Sequence, residues 1–254
     1  MMDMKALAMT VVATLTAVTA FGAVRKAAFV GGSSKNEIRE LCAFAGKENP
    51  KVLVCGSAFN DIPRVIDPLV KAFSEFTPTN NIEALRLAKT PKAADLPAVR
   101  RKILDADIIF FNGGATEQLA KAILFAHVGD TLRLAYRRGT LLCGYSAGAI
   151  ILSHAGLTDY PAGRYDLVEG LGVVDAYMCP HYEGGSEKTW KGFDKRLEAE
   201  ADASLPSEAW AVEDGTMVLF TDGKPEVKKT NPKRSVWRFV RTDGVWKKEA
   251  VEVK

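Results

Sequence analysis

Short runs of β-branched and aromatic residues alternate with longer helix-forming stretches from Lys26 to His154, and this alternation limits the folds open to the chain. Each apolar run suits a buried strand, and each longer stretch suits a helix that returns the chain to the same end of a sheet. The pattern predicts an α/β fold with a mostly parallel sheet and helices on both faces. Strands are predicted at 26–32, 51–56, 81–87, 107–114 and 140–145, with helices at 37–46, 62–76, 98–105, 116–127, 130–138 and 147–154.

The pattern changes after Tyr160. A further strand is predicted at 171–179, ending at Pro180-His181, and a charged surface helix at 189–203. Hairpin signals then follow, which predict antiparallel C-terminal strands: Asp214-Gly215, Asp222-Gly223 and Asp243-Gly244. A chain of 254 residues, 47% of them apolar, can bury one large core. We expect a single α/β domain over residues 24–254.

Residues 1–23 differ from the rest of the chain. Lys5 precedes an apolar run over 6–20, which leads into a small-residue pattern at 20–23. This pattern predicts a signal peptide, the alternative being an N-terminal extension, and Asp3 counts against export. We expect a periplasmic or secreted protein if the segment is a signal, and a cytoplasmic one otherwise. No other run approaches the ~20 apolar residues of a membrane span, so no membrane association is expected after signal removal.

The charge and the cysteines exclude several classes of partner. There are 34 basic and 31 acidic residues, and the basic ones are scattered except at 224–234, which we interpret as a solvated loop. No nucleic-acid partner is expected. The four cysteines form no C-x-x-C pair, and no histidine stands at zinc-finger spacing, so no metal site is expected. We expect reduced thiols at Cys42, Cys55, Cys143 and Cys179.

The segment 144–148 reads Gly-Tyr-Ser-Ala-Gly and lies between a predicted strand and a predicted helix. It fits the G-x-S-x-G elbow, a sharp turn that lifts a nucleophilic serine clear of the sheet. A plain glycine turn is the alternative, but the placement between strand and helix favours the elbow. The pattern makes Ser146 the candidate nucleophile.

A serine hydroxyl needs a base, and the chain offers three histidines. On the predicted helix His154 stands about 12 Å along the axis from Ser146, too far to share a proton. His127 lies near a helix end, where a cationic side chain favours the helix dipole. His181 follows a strand, at the sheet edge where open α/β folds place their sites, and is the candidate base. Its alternative role is that of a hydrogen-bonded loop residue.

The third member of such a site orients the imidazole and stabilises its cation. Asp159 lies between the serine and the histidine in the chain, and it also suits a turn before Pro161. The competing carboxylates are Glu183, Asp175, Glu213 and Asp214.

An oxyanion hole needs two backbone N–H groups aimed at the developing charge. Ala147, directly after the nucleophile, supplies one. The glycine turn at 112–116 can supply the other, or it merely closes a strand-to-helix turn with Thr116 as the helix cap.

Three segments in order, Phe-Phe-Asn-Gly-Gly-Ala-Thr-Glu-Gln-Leu at 110–119, Gly-Tyr-Ser-Ala-Gly-Ala at 144–149 and Cys-Pro-His-Tyr at 179–182, resemble the dipeptidase E and cyanophycinase family. The resemblance spans about 26–239. It implies a fold similar to class I glutamine amidotransferases and a cofactor-free serine peptidase acting on small peptides or isopeptides through an acyl-enzyme intermediate.

Matched residue by residue, the resemblance makes Ser146 the nucleophile and His181 the base. It makes Gly114 and Ala147 the oxyanion donors. The segment Leu-Thr-Asp-Tyr-Pro matches the one that bears the aspartate of dipeptidase E, which favours Asp159 as the acid. Cyanophycinase-like members use a glutamate for that role. A non-catalytic binding protein with the amidotransferase-like fold is the alternative function.

The sequence departs from dipeptidase E where that family binds an acidic substrate side chain. The family's glycine-rich turn has asparagine where this chain has Ala115, and its substrate-binding arginine aligns near Gly192. Lys191, Lys195 and Arg196 are close enough in sequence to substitute. We therefore expect an enzyme that is not a strict aspartyl dipeptidase.

Overall fold

The computed structural model describes residues 22–32, 34–158, 166–182, 193–199, 202 and 204–253. The predicted α/β fold is confirmed, and its strands are divided between two sheets. The strands are β1 (Lys26–Val30), β2 (Val52–Cys55), β3 (Ile82–Ala84), β4 (Ile108–Phe111), β5 (Leu141–Tyr145), β6 (Ala155–Thr158), β7 (Asp166–Glu169), β8 (Tyr177–Pro180), β9 (Glu208–Val212), β10 (Thr216–Thr221), β11 (Lys224–Lys229), β12 (Val236–Thr242) and β13 (Val245–Ala250). The helices are α1 (Lys35–Ala45), α2 (Pro63–Phe73), α3 (Leu96–Asp105), α4 (Thr116–Phe125), α5 (Gly129–Arg137), α6 (Ala147–Ile150) and α7 (Phe193–Ala199).

The first sheet has the strand order β11-β10-β1-β5-β4-β2-β3. Its strands β1, β5, β4, β2 and β3 are parallel, and β10 and β11 add antiparallel pairings at one edge, as the hairpin signals predict. Side chains of β1 alternate between two cores: Ala27 and Phe29 pack on one face, Ala28 and Val30 on the other. Helices therefore bury both faces, with α1 and α2 on one side and α3 to α6 on the other.

Capping residues set the limits of α1. The Ser34 side chain accepts from the Asn36 N–H, and the Glu37 carboxylate accepts from the Ser34 N–H at 2.9 Å, a reciprocal pair that closes the helix start. Gly46 ends the helix with φ +68°, a left-handed conformation that glycine adopts without strain.

The second sheet has the order β13-β12-β9-β8-β6-β7 and was not anticipated from the sequence. Strands β6, β8 and β9 are parallel, and the remaining pairings are antiparallel. One face packs on the first sheet, where the rings of Trp210 and Phe220 meet edge-on at 5.9 Å. The other face forms a separate core with Phe193 and Leu197 of α7.

Several predicted elements are shorter than expected, and two of them lie where the chain enters the second sheet. The helix predicted at 147–154 ends at Ile150, because the chain turns into the second sheet and the His154 N–H bonds the Ala176 carbonyl. The strand predicted at 171–179 begins only at Tyr177. The residues before it form a loop that buries Leu171 and Val174; the Leu171 N–H donates to the Ile151 carbonyl, and the Val173 N–H donates to the Leu152 carbonyl.

Within the described ranges, no helix has the length and apolar character needed to cross a membrane. The predicted signal peptide lies outside those ranges, apart from its last two residues. All four cysteines are free thiols, and burial raises the pKa of Cys55 to about 11.

Candidate active site

Ser146 occupies a strained turn between β5 and α6, with φ +53° and ψ −123°. Such backbone angles are rare outside glycine and persist only where the surroundings enforce them. The flanking glycines explain how they are enforced. A Cβ atom on Gly148 would lie 2.0 Å from the Phe111 carbonyl oxygen, and one on Gly144 would lie 2.6 Å from the carbonyl carbon of Gly148. The elbow therefore packs closely against β4, and Ser146 is half-buried at the carboxyl end of the parallel strands.

The glycine turn after β4 lies directly against Ser146. A Cβ atom on Gly113 would lie 2.9 Å from the Cβ of Ser146. Burial raises the pKa of the neighbouring Tyr145 phenol, and hydrogen bonds to Gly113 and Asn112 oppose that shift. Gly114 has φ +128°, and Ala147 begins α6 immediately after the serine. The structure thus places both predicted oxyanion donors in segments that contact or adjoin Ser146.

The loop at 57–61, which is absent from the site predicted from the sequence, contacts the other side of this turn. The Ala115 N–H donates to the Ala58 carbonyl at 3.2 Å, and a Cβ atom on Gly114 would lie 2.7 Å from the Phe59 ring. The loop is fixed by buried side chains, since Ser57 Oγ donates to Asp61 Oδ1 at 2.8 Å. The Phe59 side chain remains 46% exposed. Its position after β2, at the same edge as the elbow, is the sequence signal that would have pointed to it.

His181 forms a short hydrogen bond with Asp214, with 2.6 Å between Nδ1 and Oδ1. His181 follows β8 and Asp214 lies two residues beyond β9. These strands are parallel with Pro180 opposite Val212, so the residues after them are neighbours. A carboxylate at this distance accepts the Nδ1 proton, which leaves Nε2 as the basic nitrogen. His181 has φ +53°, a second strained residue in the candidate site.

The His181–Asp214 pair lies on the same side of the first sheet as Ser146, where the parallel strands β1 and β5 end. In the first sheet Val30 at the end of β1 is opposite Tyr145, so Gly31 follows β1 where Ser146 follows β5. A Cβ atom on Gly31 would lie 2.0 Å from the Glu213 carbonyl oxygen, and one on Gly32 would lie 3.4 Å from Asp214 Cγ. Two glycines therefore let the Asp214 segment approach the strand end beside the elbow.

Residues 28–228 match the family model described as Peptidase family S51. The chain belongs to peptidase family S51. This confirms the resemblance to the dipeptidase E family. A relative with the name uncharacterized peptidase YgaJ, from Bacillus subtilis (strain 168), is 30% identical over 146 residues. The matched segment covers 56% of this chain and 59% of that relative, which is less than two thirds of the relative's length.

Two solved structures share the fold of this chain. A peptidase from an acI-B1 Actinobacterium superposes with a TM-score of 0.61 at 17% identity, covering 91% of this chain and 98% of that one. A putative peptidase E protein from Listeria monocytogenes EGD-e gives a TM-score of 0.59 at 17% identity, covering 82% and 99%.

Among the carboxylates that the sequence offers as the third member of the site, Asp214 is the one that contacts His181 within the described residues. Asp159 and Glu183 lie outside the described residues. Glu213 is only 6% exposed, and its carboxylate accepts from the Ser235 N–H at 3.0 Å and from Trp237 Nε1 at 3.2 Å.

The other two histidines stand elsewhere. His127 lies just after α4, where its carbonyl accepts from Arg100. The argument that excluded His154 by its distance along a helix was wrong, because that helix ends at Ile150. His154 instead precedes β6, which runs parallel to β8, and thus lies at the opposite strand end from His181; its ring contacts Tyr177.

Proposed function

We propose that this chain is a serine peptidase that cleaves small peptides or isopeptides through an acyl-enzyme intermediate. The observation that carries the proposal is the 2.6 Å His181–Asp214 hydrogen bond at the edge where Ser146 occupies its strained elbow. A nucleophile, a base and an orienting carboxylate are the three parts that acyl transfer by a serine requires.

In the proposed reaction Ser146 Oγ attacks the scissile carbonyl carbon while His181 Nε2 takes the hydroxyl proton. The carbonyl oxygen becomes an oxyanion, stabilised by the backbone N–H groups of Gly114 and Ala147. The imidazolium then gives its proton to the leaving amine, and the C–N bond breaks to leave an ester on Ser146. Water, deprotonated by His181, hydrolyses that ester and restores the serine.

We assign the orienting role to Asp214 on the strength of its contact with His181. The resemblance favours Asp159 instead, and that residue lies outside the described part of the chain. The two assignments make opposite predictions for the two asparagine variants.

A fluorophosphonate probe tests the proposed function, because it phosphonylates only a serine activated by its own base. We expect the wild-type protein to be labelled, and Ser146→Ala and His181→Ala to remain unlabelled. Ser74→Ala, which removes an exposed serine hydroxyl bound to the Lys71 carbonyl, is the matched control and should be labelled like the wild type. An unlabelled wild-type protein would favour the non-catalytic alternative.

We further propose that the substrate carries an uncharged, apolar side chain near the scissile bond. Phe59 offers an exposed ring beside the oxyanion turn, where it can cover apolar substrate surface. Arg196 and Lys195, two of the cationic residues that the sequence suggests for binding an acidic substrate side chain, are poorly suited to that role. Arg196 Nη2 bonds Asp166 Oδ1 at 2.8 Å, and Lys195 is exposed on α7.

We expect Phe59→Ala to lower kcat/KM for apolar dipeptides about tenfold, a loss of roughly 1.4 kcal/mol of binding. Phe125→Ala is the control, because that ring is also exposed but lies at the far end of α4. The substrate panel pairs Asp-X with neutral dipeptides of similar size. A preference above about a hundredfold for Asp-X, roughly 2.7 kcal/mol, would contradict the proposed substrate class.

A further inference from the structure

A buried residue stands next to each member of the His181–Asp214 pair. Tyr182, next to His181, is 4% exposed, and Glu213 precedes Asp214. The pair itself is much more open, with the Asp214 side chain 55% exposed. A hydrogen bond between exposed side chains keeps its geometry only if their backbones are held from behind. Contacts to the buried neighbours Tyr182 and Glu213 can hold the backbone at His181 and Asp214 in place.

Trp237 contacts both of these buried neighbours. It lies on β12, opposite Ala211 of β9. Its indole Nε1 donates to Glu213 Oε1 at 3.2 Å, and its ring meets the Tyr182 ring edge-on at a centroid distance of 6.4 Å. One rigid side chain therefore connects the segment that carries His181 to the segment that carries Asp214.

Lys248, on β13, contacts both Tyr182 and Trp237. Its Nζ lies 4.6 Å from the Tyr182 ring centroid and 4.7 Å from that of Trp237, within the range of cation–π attraction. It also donates to the Tyr182 hydroxyl and lies 3.7 Å from Asp194 Oδ2. Burial, followed by the nearby Asp194 carboxylate, raises the pKa of Tyr182 well above its usual value, so the phenol stays neutral and donates to Asp194.

We propose that Trp237 is a positioning residue that holds His181 and Asp214 in register by fixing Tyr182 and Glu213. This inference rests on the proposed function for its consequence in catalysis, but the geometry it concerns exists without substrate. His181 has φ +53°, a conformation that relaxes unless its neighbours resist. Loss of the Trp237 bridge frees both segments at once.

The test uses Trp237→Phe, which keeps an aromatic ring and removes the indole N–H. Trp246→Phe is the matched control, since Trp246 lies in the same sheet and its buried Nε1 has no hydrogen-bond partner among the described residues. Glu213→Gln is a second variant that preserves volume but offers one acceptor oxygen where two donors bind.

The first readout is independent of hydrolysis. In protein labelled with ¹⁵N-histidine, which has three histidines, the proton between His181 and Asp214 should give a downfield NMR signal that disappears in His181→Ala. We expect Trp237→Phe and Glu213→Gln to broaden this signal or speed its exchange with solvent, and Trp246→Phe to leave it unchanged. An unaltered signal in both test variants, or equal loss in the control, would overturn the positioning role.

The second readout is kinetic. Trp237→Phe should lower kcat by about ten- to hundredfold, since small misplacements of reacting groups have effects of this size, while KM stays within about twofold. The double variant Trp237→Phe/Asp214→Asn should have a kcat close to that of Asp214→Asn alone, because Trp237 acts through the His181–Asp214 pair. Additive losses would show a general structural role. An inactive wild-type protein with an intact NMR response would reject the proposed function and keep the positioning role.

Discussion

The double variant Ser146→Ala/His181→Ala is expected to hydrolyse a peptide no more slowly than either single variant. Each single change should lower kcat by about a millionfold, because the hydroxyl is a poor nucleophile without the imidazole and the imidazole has nothing to deprotonate without the hydroxyl. Because the two groups act together, removing either one already abolishes their joint effect, and the two losses of kcat do not add. Steady-state kcat for the four proteins measures this directly.

His154→Ala is the control for the histidine change, since His154 lies at the opposite strand end and contacts Tyr177. It should retain wild-type kcat. If the double variant instead showed the product of the two single losses, Ser146 and His181 would act independently, and the proposed proton transfer between them would be rejected.

Local periodicity predicted most of the first sheet. The parallel strands β1, β2, β4 and β5 lie within their predicted ranges, because each is an apolar run buried on both faces and bounded by turn residues. The elbow was predictable for the same reason, since Gly144, Ser146 and Gly148 fit a turn that only small residues permit.

Long-range packing determined what the sequence did not predict. The residues directly after Ile150 are apolar enough to continue α6, yet the chain leaves the helix there. It goes on to form the second sheet and the loop at 171–174, which buries Leu171 and Val174. Periodicity describes only neighbours along the chain, so it cannot distinguish an apolar strand from an apolar loop that fills a core. The division of strands between two sheets has the same origin.

Asp214 illustrates this limit at the site itself. In the sequence it stands in one of three Asp-Gly pairs, all of which indicate hairpin turns. In the structure Asp214 bonds His181, whereas Asp222 bonds Arg25. The difference depends on β8 and β9 being parallel neighbours, which no local pattern reveals.

Asp214→Asn is expected to lower kcat by about ten-thousandfold with little change in KM, the size seen when a carboxylate that orients a catalytic histidine becomes an amide. When the amide NH₂ faces Nδ1 it donates a hydrogen bond and favours the tautomer that carries its proton on Nε2, and a neutral amide no longer stabilises the imidazole cation. Asp243→Asn is the matched control, because it changes another Asp-Gly turn, between β12 and β13, and should retain full activity. The competing assignment is tested in the same assay: a larger kcat loss in Asp159→Asn than in Asp214→Asn would transfer the orienting role to Asp159. Equal losses in both variants would mean that two carboxylates share the histidine, and the assignment to Asp214 alone would be rejected.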